Sequence, residues 1–163
     1  MNKQLYFHLE VIKNSLEMIH YFKERYDKLY GLPLKYDIYE DVVTSFEEKA
    51  NFDSITSRFQ KIQSLFGEKV FRNILEEMNI STKNKNMLEI LSLLLKNGVI
   101  NFEPKEWLDL RELRNSLSHE YPDDLPEIVD TINEVFEKLE FLEGIYLDIK
   151  KVYKKILEVK GQK

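Results

Sequence analysis

An all-α fold, an up-and-down bundle of about five helices in a single domain, is what this sequence predicts, and three observations predict it. Apolar residues recur at steps of three and four over most of the chain, the period of one helix face. Only 5 Gly and 4 Pro occur among 163 residues, too few for the turns of an all-β fold. The interruptions are short, so successive helices can bury their apolar faces only against one another. The length is that of one domain, at roughly 100–200 residues each.

The first helix is predicted over residues 2–29, where Leu5, Leu9, Ile12, Leu16, Ile19, Phe22, Tyr26 and Leu29 share a face. Gly31 and Pro33 break the period, and residues 31–39 read as a loop. From Asp41 to Met78 the period returns through Val42, Phe46, Ile55, Phe59, Ile62, Phe66, Val70 and Ile74. This is one long helix or two in line, with Asn51 to Ser54 and Gly67 as the expected places for a break, because glycine costs about 1 kcal/mol inside a helix. A third helix covers 85–97, with Gly98 as its left-handed stop. Pro104 opens a fourth, expected to run to residue 120 before Pro122 ends it. Asp123 and Asp124 are expected to cap a last helix whose spacing, from Leu125 to Ile156, persists nearly to the end of the sequence.

Composition removes several classes of function. The chain has no cysteine, which excludes disulfides, thiolate metal sites and thiol catalysis and leaves the cytoplasm as the expected location. Residues 1–10 lack the apolar run of a signal peptide, and no stretch of 18 apolar residues occurs, so a soluble protein without membrane contact is expected. The glycines at 31, 67, 98, 144 and 161 are too far apart for a phosphate-cradling loop or a dinucleotide fingerprint. His8, His20 and His119 include no pair four residues apart, so neither a metal nor a cofactor is expected. No serine has the flanking glycines of a nucleophile elbow. A net charge of −5 supplies no global attraction to nucleic acid, and any RNA contact has to be local.

One stretch carries chemical information: Trp107 to Pro122, on the fourth helix. At about 100° per residue, Leu110, Leu113 and Leu117 form the core stripe. Measured from Leu117, Arg114 lies at about 60°, Ser118 at about 100°, Arg111 at about 120°, Asn115 at about 160° and His119 at about 200°. One flank is therefore uniformly polar. Tyr121, at about 40°, borders the core, and Trp107 is expected in the core or at a dimer interface. An Arg and a His at this spacing arise by chance in roughly one such chain in ten, and the triple with Tyr121 in roughly one in two hundred.

Arg114 and Asn115, then Ser116, Leu117 and Ser118, then His119, Glu120 and Tyr121 resemble the signature of the HEPN superfamily (higher eukaryotes and prokaryotes nucleotide-binding domain). The signature is Arg, a polar residue, three further positions and His, extended by one residue and Tyr in HEPN toxins paired with minimal nucleotidyltransferase antitoxins. The family carries it on the penultimate helix of a bundle, before one long helix, as here. The resemblance implies a metal-independent ribonuclease, the toxin of a toxin-antitoxin pair, whose site forms where the motifs of a homodimer meet. In that frame His119 is the acid and base, Arg114 the phosphate clamp and Asn115 a positioning residue, while Arg111 and Ser118 guide the RNA. Tyr121 would accept adenylyl groups from the antitoxin. Each residue has an ordinary alternative: Arg114 and Asn115 as surface residues, His119 as a partner of the helix dipole, Tyr121 as packing.

Two considerations bear on catalysis. Residues 103–124 carry seven acids against Lys105, Arg111 and Arg114, which repels an RNA backbone unless other helices compensate. Arg58 and Lys61, with Lys69 and Arg72, are the expected source of that charge, ahead of the C-terminal lysines. The run Ser57 to Gln63, followed by Gly67, is similar to the second-helix region of antitoxin-linked HEPN proteins. The alternative function is a non-catalytic nucleotide-binding or partner subunit of a separately encoded nucleotidyltransferase.

Overall fold

The computed structural model describes residues 3–117 and 126–161, and among them the fold is all-α, with no strand. Helix α1 spans Lys3–Tyr30, α2 Tyr39–Thr44, α3 Phe46–Leu65, α4 Phe71–Glu77, α5 Met87–Lys96, α6 Pro104–Leu117 and α7 Pro126–Gly161. A π-helical turn, Phe66–Val70, fuses α3 and α4 into one rod. Counted that way the described residues form six helices, one more than the pattern predicts.

The extra helix arises at Ser45. Its backbone is extended, and its Oγ accepts a hydrogen bond from the Glu48 N–H at 3.2 Å, so it caps α3 and separates α2 from it. The expected break between Asn51 and Ser54 does not occur, because Phe52 and Ile55 are buried there and hold the helix to the core. Gly67 does not end the rod either. It lies inside the π turn, where a Cβ would meet Met87 Cε and Trp107 Cζ2, each at 3.4 Å. Elsewhere the local signals act as expected. Asn86 and Glu89 close a reciprocal capping box at the start of α5, and Gly98, with φ +66°, follows its end. The fourth helix is described to Leu117, so the expected stop at Pro122 and the aspartate cap of α7 lie outside the described residues.

Side-chain partners give the directions of the rods. Tyr26 near the end of α1 meets Glu48 and Phe52 near the start of α3, so these helices run antiparallel. Tyr26 stands 6.4 Å from the Phe136 ring and His20 3.4 Å from Glu143, which sets α7 antiparallel to α1. Trp107 packs at Gly67 and Phe66 while Arg114, further along, reaches Gln63, which sets α6 antiparallel to α3. The core is apolar almost throughout. Trp107 is fully buried within it, with ring centroids 4.7 Å from Phe71 and 6.3 Å from Phe66. The residues between α1 and α2, expected as a loop, are strapped down: Leu34 N–H donates to Asn133 Oδ1 at 2.7 Å, and Asn133 Nδ2 donates to the Leu34 carbonyl at 2.9 Å. None of the described helices is long and apolar enough to cross a membrane.

Candidate functional site

Arg114 sits on the flank of α6 that faces α3. It is half-buried, and its Nη1 donates to Gln63 Oε1 at 3.4 Å. Gln63 is buried to 3% exposure, one of few polar side chains in the interior. On α3 it lies within about 60° of Phe52, Phe59 and Phe66, and so occupies a position of the apolar stripe. A polar residue on such a stripe is a signal that a partner waits across the interface, and the partner is the guanidinium. Trp107, seven residues earlier, falls within about 20° of Arg114 on the same flank and locks α6 against the π turn about 10 Å away along the axis. The same packing that buries the indole therefore fixes the direction of the arginine fork.

Arg111 and Asn115 are exposed further round this flank. Among the described residues neither Arg111 nor Arg114 enters an ion pair. Ser118, His119 and Tyr121 lie outside the described residues. The described part of the site is thus the arginine half of the motif.

The acids of α6 take the other side. Asp109 and Glu112 line a groove against α7 with Glu127, Asp130, Glu134 and Glu137, and among the described residues only Lys138 opposes them within it. From Leu117, Asp109 lies about 80° and Glu112 about 140° to one side, whereas Arg114 lies about 60° and Arg111 about 120° to the other. Two of the acids that oppose an RNA contact when charge is summed along the sequence, Asp109 and Glu112, are separated from the arginines when they are placed on the helix, while Glu120, Asp123 and Asp124 lie outside the described residues. One edge of α6 is acidic and the other basic.

The expected compensating cations are distributed differently from the reading of the sequence. Arg58 lies about 140° and Lys61 about 160° around α3 from Gln63, so they do not border Arg114. Arg58 Nε instead donates to Ser54 Oγ at 3.3 Å. Arg72 is used structurally, donating to the carbonyls of Thr82 and Lys85 at 3.0 and 2.8 Å and holding the turn before α5. Lys69 projects toward α1, where it shares a depression with Lys3 and His8. The C-terminal lysines begin at Lys150, sixteen residues or roughly 25 Å along α7 from Glu134, which faces Glu112 and Leu113. Lys160 there pairs with Glu77 at 2.6 Å.

No group of three or more His, Asp and Glu side chains suited to a metal occurs among the described residues. No family model, no curated protein and no solved structure matches the chain.

Proposed function

We propose that the chain is a metal-independent ribonuclease of the HEPN type, the toxin of a pair with a minimal nucleotidyltransferase, acting as a homodimer. The observation that supports this reading best is the Arg114 guanidinium. It is held at the α3–α6 interface by Gln63, on the flank of α6 opposite Asp109 and Glu112, within a motif whose remaining members follow it in the sequence. A fixed fork of this kind suits the charge that builds on phosphate oxygens during transfer, because its donors are already oriented. Histidine is the side chain suited to proton transfer near neutral pH, and His119 is the acid or base of the proposed reaction.

In the proposed step the ribose 2′-oxygen bonds to the adjacent phosphorus and the bond from phosphorus to the 5′-oxygen breaks. One His119 takes the 2′-hydroxyl proton and the partner subunit's His119 returns one to the leaving 5′-oxygen. The products are a 2′,3′-cyclic phosphate and a 5′-hydroxyl end, and no water or metal enters the step. Asn115 positions the substrate, Arg111 and Ser118 extend the phosphate track, and adenylylation of Tyr121 blocks it.

The test is RNA cleavage in the presence of a chelator by the wild type, Arg114→Ala and His119→Ala. We expect both variants to lose at least about 10²-fold in rate, the lower end of what general acid–base catalysis contributes. Equal rates in all three, or cleavage by none, would reject the nuclease and leave the non-catalytic partner subunit.

A further inference from the structure

A second cluster lies away from α6, where the first turns of α1 meet the π turn. An open depression of about 440 Å³ is lined there by Lys3, Gln4, Phe7, His8 and Lys69. Among the described residues no carboxylate lines it, and neither lysine is in an ion pair. The first turn of α1 contains no acid, so the positive end of the helix dipole is also uncompensated by its own residues.

His8 is the unusual member. Its Nδ1 is buried without a hydrogen-bond partner among the described residues. A proton on that nitrogen would be a buried donor without a partner, which favours the tautomer with its proton on Nε2. Burial, and then the charge of Lys69, hold the imidazole below its ordinary pKa of 6.5. At neutral pH the depression thus offers two ammonium groups and one imidazole N–H. Beside them the Phe7 ring is 63% exposed, with its centroid 6.1 Å from that of His8.

An anion satisfies this set, and its charge can be specified. A carboxylate or a phosphodiester brings one negative charge, whereas a phosphate monoester carries about −1.5 to −2 at neutral pH and three acceptor oxygens, one for each donor group. The exposed aromatic face beside the cations suits a planar base. We infer that the depression between Lys3, His8 and Lys69 binds a phosphate monoester, a nucleoside monophosphate with its base against Phe7. Lys69 is aimed here by the π turn, whose Gly67 packs on Trp107, so the irregular turn serves both faces of α3.

Adenosine 5′-monophosphate is the probe, titrated into the full chain by calorimetry while the His8 imidazole resonance is followed by NMR. Inorganic phosphate, adenosine and an oligoribonucleotide without terminal phosphates are the comparison ligands. The monophosphate is expected to bind more tightly than any of the three and to raise the His8 pKa. Lys69→Ala is expected to weaken binding about tenfold, the loss of one charge-assisted contact, and to raise the His8 pKa of the free protein. Lys3→Ala is expected to weaken it similarly. His119→Ala is expected to bind as the wild type does, which separates this site from the nuclease reading. Unmoved His8 resonances on addition of the monophosphate, or undiminished affinity in both lysine variants, would overturn the inference. Tighter binding of the unphosphorylated oligonucleotide would replace the monoester with a polynucleotide backbone, and equal affinity for inorganic phosphate would remove Phe7 from the site.

Discussion

Glu48 is a carboxylate placed where the apolar pattern has room for none. It accepts from Arg25 Nη2 at 2.7 Å and from the Tyr26 hydroxyl, with Asn51 Nδ2 at 3.5 Å. Burial pushes its pKa up, but the hydrogen bonds from Tyr26, Arg25 and Asn51 outweigh it, and the carboxyl is held below its ordinary 4.5. Burial and the neighbouring carboxylate drive the Tyr26 hydroxyl the other way, well above its ordinary 10, so it remains a donor. Because the folded carboxyl binds its proton more weakly than the unfolded one, the group stabilises the fold above the unfolded pKa and loses that contribution as pH falls through the folded value. Glu48→Gln is therefore expected to cost about 2 kcal/mol in urea unfolding at pH 7, with the gap from the wild type closing toward pH 3. Glu48 lies on the apolar stripe of α3, within about 40° of Phe52, Ile55 and Phe59, so the helical period separates it from the other acids among the 29. Gln63 and His8 likewise lie on or beside an apolar stripe, and that displacement could have marked all three.

The α3–π–α4 rod shows where helix-level rules suffice and where they stop. A glycine amid helical periodicity reads as a break on propensity alone, yet Gly67 is kept in a continuous rod by contacts from two other helices. The π turn accommodates it, and the stacked Phe66 and Phe71 rings, 5.6 Å apart, close around Trp107 from either end of that turn. Gly67→Ala gains about 1 kcal/mol in propensity and sets a methyl at 3.4 Å from Met87 and Trp107. We expect its thermal unfolding to stay within about 0.5 kcal/mol of the wild type, whereas Gly67→Leu should lose about 2 kcal/mol or more by displacing the indole. The same rod explains why a short motif on α6 can be directional. The antiparallel packing at Trp107 sets the rotation of α6, and that rotation turns Arg114 toward Gln63 and Asp109 toward α7.

Across the bundle, charge is sorted by groove rather than by segment. The α6–α7 groove is acidic, the α3 edge of α6 is basic, and a separate cationic depression opens beside the start of α1. The other long-range device is the strap between α1 and α2, held through both backbone groups of Leu34 by one side chain of α7. Asn133→Ala removes both hydrogen bonds at once. Its expected signature is local, with the Leu34 amide exchanging with solvent at least about tenfold faster in hydrogen-exchange measurements while amides in the middle of α3 keep their protection.

Helix content, the stops at Gly31 and Gly98, the first-turn proline of α6 and the apolar faces were all legible in the sequence, because each depends on neighbours within about four residues and on the 3.6-residue period. The cap at Ser45, the role of Gly67, the pairing of Arg114 with Gln63 and the dispersal of Arg58, Lys61 and Arg72 were not. These depend on the rotation and height of one rod against another, which are set by aromatic packing between residues dozens of positions apart. Periodicity states which face of a helix is buried; only the packed bundle states which helix that face meets, and so which charges share a groove.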